Sequence, residues 1–209
     1  EFTTQCGVVY PPYMEDFEST DLTNIPSCWD RETKTSLGDN IYNWSVVLPN
    51  EYDHVKPEYG KFVQIQCAST TGYSTLQTSD IMLDGDYILS FKYANTSEEE
   101  ALKVVIQYKL GADTLLTLGS TDGEWVYVRC DLSKYNNQQV KIGFYASAHV
   151  ASAAVIALDQ IRVVCFNNDI VYEDQICQPT QGSVTYRKNG FEVSSSSLEI
   201  GLNTIEKVF

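Results

Sequence analysis

The chain has 209 residues, 43% of them apolar, a formal net charge of −14 and a pI near 4.4. That apolar share is enough to build a core, which argues against intrinsic disorder, and the length suits one large all-β domain or one domain plus a fragment of another. So acidic a chain is repelled by nucleic-acid phosphates and by anionic membrane surfaces, and both drop out as partners.

The chain opens on E-F-T-T-Q-C, which has neither a basic leader nor an apolar stretch, so any secretion signal is expected to have been removed. Residues 1–13 read as irregular, and 13–19 as a first strand with Phe17 inward. A loop follows over 20–26, and Cys28-Trp29 looks like an apolar anchor at its far end. Residues 30–60 form a long polar stretch carrying Tyr42, Trp44, Tyr52, His54 and Tyr59; a loop of this length is functional or disordered, and its aromatic content argues for function.

Short strands then recur at even spacing. Val63, Ile65 and Cys67 alternate with Gln64 and Gln66; Leu89, Phe91 and Tyr93 alternate with Ser90 and Lys92, after a turn at Asp84-Gly85-Asp86. Leu102, Val104, Ile106 and Tyr108 share a face, Gly111-Ala112-Asp113 turns the chain into a strand over 114–118, and Asp122-Gly123 turns it again. Strands over 125–130 and 140–146 follow. Ser97-Glu98-Glu99-Glu100 fits a capping box, but the period of two beyond it leaves room for no more than one helical turn.

The run A-V-I-A-L-D-Q-I-R-V-V-C over 154–165 is too short and too rich in Val and Ile for a helix, and reads as a buried strand. Strict alternation would put Asp159 on one face with Val155, Ala157, Ile161 and Val163, where its charge needs a cation, an arginine or several backbone N–H groups. The alternative is a β-bulge at Asp159-Gln160, with Ile156 and Leu158 inward before it and Ile161 and Val163 inward after it. The whole predicts an antiparallel jelly-roll β-sandwich over 1–166. Residues 167–209 are too poor in large aliphatics for a core of their own, and read as a short β-rich extension, a linker and the start of a following module, with strands near 170–172, 184–187 and 191–193.

Six cysteines, at 6, 28, 67, 130, 165 and 177, include no C-x-x-C and no Cys/His cluster, which disfavours zinc and predicts at least one disulfide. G-x-S-x-G, H-E-x-x-H, P-loop and G-x-G-x-x-G motifs are absent, and His54 and His149 sit in loop-like contexts, so the chain reads as no enzyme.

The order D-F-E-S, P-S-C-W, a tryptophan in a long loop, L-S-F-K-Y, G-E-W-V-Y-V-R-C-D-L-S and I-A-L-D-Q-I resembles a MAM-type jelly roll. More narrowly, residues 6–166 are similar to the bacterial cleaved-adhesin modules of gingipain-type surface proteins, and D-I-V-Y-E-D-Q-I-C and N-G-F-E-V resemble the linker modules that follow them. The resemblance implies a structural calcium between the first and last strands, with Glu18 and Asp159 as carboxylate ligands and Asp16 and Asp39 as further ones. Calcium takes six to eight oxygens, and backbone carbonyls supply what carboxylates do not. The family has a second acid where this chain has Gln160, which implies a weaker or single site. Without metal, Asp159 would pair with an arginine or accept backbone N–H groups, and Glu18 would be solvated.

Tyr42, Trp44, Tyr52 and Tyr59 are the candidate ligand contacts, because aromatic rings offer apolar faces to sugars and to protein hot spots alike. For Trp44 the competing reading is packing over an end of the sandwich. The expected function is a non-catalytic binding module of a secreted or cell-surface bacterial adhesin, part of a longer chain, recognising a glycan or a host or matrix protein. A structural spacer in a tandem surface protein and a carbohydrate-binding module attached to a hydrolase are the alternatives.

Overall fold

The computed structural model describes residues 6–34, 40–41, 43–49, 55, 59–68, 73–96, 101–147, 154–165, 186–188 and 191–193. The strands in chain order are β1 (Tyr13–Glu15), β2 (Asp30–Lys34), β3 (Asn40–Ile41), β4 (Ser45–Val47), β5 (Phe62–Ala68), β6 (Tyr73–Gln77), β7 (Ile81–Leu83) and β8 (Tyr87–Asn95). They continue as β9 (Leu102–Tyr108), β10 (Gly111–Leu118), β11 (Val126–Asp131), β12 (Gln138–Ala146), β13 (Ala154–Cys165), β14 (Tyr186–Lys188) and β15 (Phe191–Val193). Among the described residues there is no α-helix, and a 3-10 turn at Ser133–Tyr135 is the one helical feature.

The chain divides into two compact units, Glu1–Phe166 and Asn167–Phe209. The first is an all-β antiparallel jelly-roll sandwich. One sheet runs β11-β8-β13-β5-β3, with β1 on β13 and β4 on β5; the other runs β10-β9-β12-β6-β2, with β7 on β12. In the second unit, β14 and β15 form an antiparallel hairpin.

The core lies between the sheets and follows the alternation of the strands that face it. Leu89, Phe91 and Tyr93 of β8 meet Val140, Ile142 and Phe144 of β12, and the rings of Phe91 and Phe144 stand edge to face at 5.4 Å. Burying side chains of this size contributes roughly 2 kcal/mol apiece. A smaller cluster covers the outer face of the first sheet, where Phe62, Ala94, Val155 and Ala157 pack with Val55 and the half-buried Trp125. Strand β13 is therefore buried on both faces over its first half.

At Asp159 the β13–β8 register shifts and Gln160 takes a left-handed φ of 50°. The side chains of Ile156 and Leu158 enter the main core before the slip and those of Ile161 and Val163 after it. The bulge reading holds, and strict alternation does not.

Other elements differ from expectation. The first strand stops at Glu15, because Phe17 adopts φ 61° to bury its ring, and the Glu15 and Asp16 carboxylates take the N–H groups of Phe17 and Glu18. The stretch from 30 to 60 contains strands β2, β3 and β4, and β6 and β7 fill the interval before β8. The capping-box residues 97–100 and the strand expected at 170–172 lie outside the described residues.

The disulfide Cys6–Cys28 closes a segment with a sequence separation of 22. Cys130 is half-buried and Cys165 exposed, both as thiols, while Cys177 and the side chain of Cys67 lie outside the described residues. A crosslink of this span restricts the unfolded chain. Replacing Cys6 and Cys28 together by alanine is expected to cost about 3 kcal/mol, read as a lower urea midpoint with a slope no shallower than that of the parent, because the freed unfolded chain exposes more surface.

Candidate functional site

The segment leading into β1, the turns that follow it and the start of β2 enclose a cleft of about 610 Å³. Its walls bring together Tyr13, Glu15, Asp21, Asn24, Trp29 and Arg31. Each is set by a contact that the sequence makes locally or across the cleft. Trp29 is only 6% exposed; its Nε1 donates to the Tyr13 hydroxyl at 2.8 Å and its ring meets Phe17 edge-on at 6.0 Å. Cys28, beside it, is tied to Cys6. Arg31 Nη1 donates to the carbonyl of Trp44 at 2.6 Å and to that of Thr23 at 3.4 Å, strapping the 21–24 turn against β4. The turn is closed by Asn24 N–H on the Asp21 carbonyl at 3.2 Å, and Thr23 and Asn24 exchange backbone bonds with Val46 at 2.8 and 2.9 Å.

Burial raises the Glu15 carboxyl above its ordinary value; the N–H of Phe17, at 2.8 Å, works against the shift and the charge of Asp16 adds to it. Burial likewise pushes the Tyr13 phenol up, against the lowering effect of the Trp29 N–H, so it stays a neutral donor and acceptor at neutral pH. The cleft thus offers an amide, a guanidinium, carboxylates, hydroxyls and the flank of an aromatic pair. Such a lining can hydrogen-bond a neutral polar ligand from several sides. His54 and His149 lie outside the described residues.

Of the ligand residues expected from sequence, the two that are described, Trp44 and Tyr59, fall elsewhere. Trp44 is fully buried, with its Nε1 directed to the Ser74 carbonyl at 3.4 Å, so it packs in the core and cannot present its ring to a ligand. A side chain with so much apolar area is better satisfied between the sheets, and the expectation for Trp44 is corrected accordingly. Tyr59 is 84% exposed and does not line the cleft. Tyr42 and Tyr52 lie outside the described residues. Sequence reading missed Tyr13, Glu15 and Arg31; Trp29 was visible only as an anchor.

Three of the expected metal ligands, Glu18, Asp16 and Asp159, accept protein N–H groups. Asp159, 3% exposed, accepts the Gln160 N–H at 2.7 Å, and the register places Lys92 directly across from it on β8. Glu18 Oε1 accepts the Lys61 N–H at 2.7 Å, and Asp16 Oδ1 accepts the Glu18 N–H at 3.2 Å. The carbonyls of Glu18 and Thr20 receive the Lys61 ammonium at 2.9 and 2.8 Å. Among the described residues no three His, Cys, Asp or Glu side chains converge as a metal cluster. Each of Glu18, Asp16 and Asp159 thus accepts a backbone N–H group of the chain. Asp39 lies outside the described residues.

The model of the MAM domain (meprin/A5/mu) matches residues 16–169, from the D-F-E-S turn past the end of β13. The chain belongs to the MAM family. Two solved structures share the fold of this MAM domain. The K2 cleaved adhesin domain of Lys-gingipain is 14% identical with a TM-score of 0.52, over 73% of this chain and 98% of that one. The K3 cleaved adhesin domain of Lys-gingipain from Porphyromonas gingivalis is 15% identical with a TM-score of 0.50, over 73% and 98%. No curated protein matches the chain in sequence. The disulfide is of the kind formed in oxidising, extracellular-type compartments.

The Glu15 shift has a sign that can be checked. The folded state holds the proton more tightly than the unfolded chain, so stability falls as pH rises from the ordinary Glu value through the raised one. Glu15→Gln keeps an oxygen for the Phe17 N–H and removes the charge. Its Tm is expected to exceed that of the unaltered chain at neutral pH, with the gap closing below the ordinary Glu range in a thermal-unfolding series against pH.

Proposed function

We propose that this MAM domain is a non-catalytic binding module of a secreted or cell-surface adhesin-type protein, and that its cleft takes a neutral glycan. The observation that carries the reading is the lining of the cleft, in which the half-buried ring of Tyr13, held by the Trp29 N–H, lies beside Glu15, Asp21, Asn24 and Arg31. A sugar presents many hydroxyls, each of which must exchange its water for a partner, together with an apolar ring face. Mixed donors and acceptors beside an aromatic flank meet both needs. The net charge of −14 and the carboxylates at the rim weigh against a polyanionic ligand. The adhesin domains that share the fold accord with a binding role.

Asp21 and Asn24 are exposed and stand on a turn held by backbone bonds, so their side chains can be removed without opening the core. The intact chain, applied to an array of neutral glycans, uronic-acid glycans and extracellular-matrix proteins, is expected to retain neutral glycans. Asp21→Ala with Asn24→Ala should weaken that retention at least about tenfold, the worth of roughly 1.4 kcal/mol, with Tm unchanged. Retention of matrix proteins alone would replace the glycan reading with protein recognition. Retention of nothing would leave a spacer.

A further inference from the structure

The turn that ends β1 directs two carbonyls to one point. With Phe17 at φ 61° and the Thr20 N–H bonded to the Phe17 carbonyl at 3.1 Å, the carbonyl oxygens of Glu18 and Thr20 converge outside the turn. The group that meets them is the ammonium of Lys61, at 2.9 and 2.8 Å, carried in from the residue that precedes β5. The backbone N–H of the same lysine closes on Glu18 Oε1 at 2.7 Å. Gly60 makes this approach feasible, since it sits at φ 86° and a Cβ there would stand 1.9 Å from the Glu18 carboxylate oxygen. Two converging backbone carbonyls around one positive charge are oxygen donors of the kind a hard cation such as calcium also takes. A divalent ion on the same oxygens would stand a few ångströms from the ammonium, where like charges repel strongly.

We propose that Lys61 is the built-in cation of this domain: its ammonium joins the turn after β1 to the head of β5, in the place of a metal ion, and the fold holds together without calcium. Ser19 and Thr20 of that turn also line the cleft, so Lys61 fixes one of its walls. The inference is independent of what the cleft binds.

The test uses the full chain and calcium alone as the probe. Tm is measured in millimolar calcium and in excess chelator, beside a calorimetric titration of the unaltered chain with calcium. Equal Tm in the two media and no saturable heat are expected. Lys61→Met, which keeps the aliphatic stem and loses the charge, is expected to lower Tm by roughly 5 °C in both. A Tm that rises in calcium and falls in chelator, or a saturable heat with the unaltered chain, overturns the proposal, and needs no variant that folds. A Lys61→Met chain as stable as the parent overturns it too.

Discussion

Strand β13 has two neighbours along one edge, and the exchange between them occurs within a pair of residues. Up to Leu158 that edge is bonded to β5; from Ile161 it is bonded to β1. The other edge stays on β8 throughout, apart from the slip at Asp159-Gln160. A strand with a strict period of two could not keep its aliphatics inward across such a change while also turning a carboxylate away from the core. The bulge does both: the slip re-phases Ile161 and Val163 into the main core, and Asp159 stays in register with Lys92 and takes the N–H of the next residue. At the same place the Gln160 carboxamide gathers the Tyr127 hydroxyl and the Arg162 guanidinium at 3.1 and 3.2 Å, tying β11 to β13 across β8. The β1 turn and the β5 head, and with them one wall of the cleft, inherit their positions from this exchange.

Strands whose two faces differ were legible in the sequence. In β5, β8 and β9 the positions that enter the main core recur every second residue, because only one face of each strand looks between the sheets. Even the ambiguity at Asp159 was visible, since an acid in an aliphatic run forces a choice between compensation and a change of phase. Strand β2 was illegible because four of its five residues are exposed and no face is apolar. Strand β6 hid for the opposite reason. Its buried positions include Ser74 and Thr75, whose hydroxyls are satisfied by Thr33 and by the Glu32 carbonyl, so polarity there does not signal solvent.

The cleft was harder to read than the fold. It is assembled from turns, and its defining contacts, Trp29 on Tyr13 and Arg31 on the Trp44 carbonyl, join residues whose spacing follows no helix or strand period. Aromatic content drew attention to the long loop, but the size of Trp44 suited it to the core instead. Lys61 carried no signal at all, since a lysine after a glycine in a turn is ordinary and its acceptors stand more than forty residues earlier. Polar sites built from backbone carbonyls leave little trace in side-chain patterns. They become visible only when the chain has been folded back on itself.

The composition of β2 bears on how such a domain behaves in company. Among the described residues it is the terminal strand of its sheet, bonded to β6 on one side, and its sequence D-R-E-T-K mixes negative and positive charge. An open strand edge invites another chain to add a strand, and molecules concentrated on a surface meet one another's edges constantly. To dock there, a second copy would have to strip water from Asp30, Arg31, Glu32 and Lys34 and match their order of sign. The same polarity that made this strand hard to recognise makes its edge a poor template for the strand of another chain.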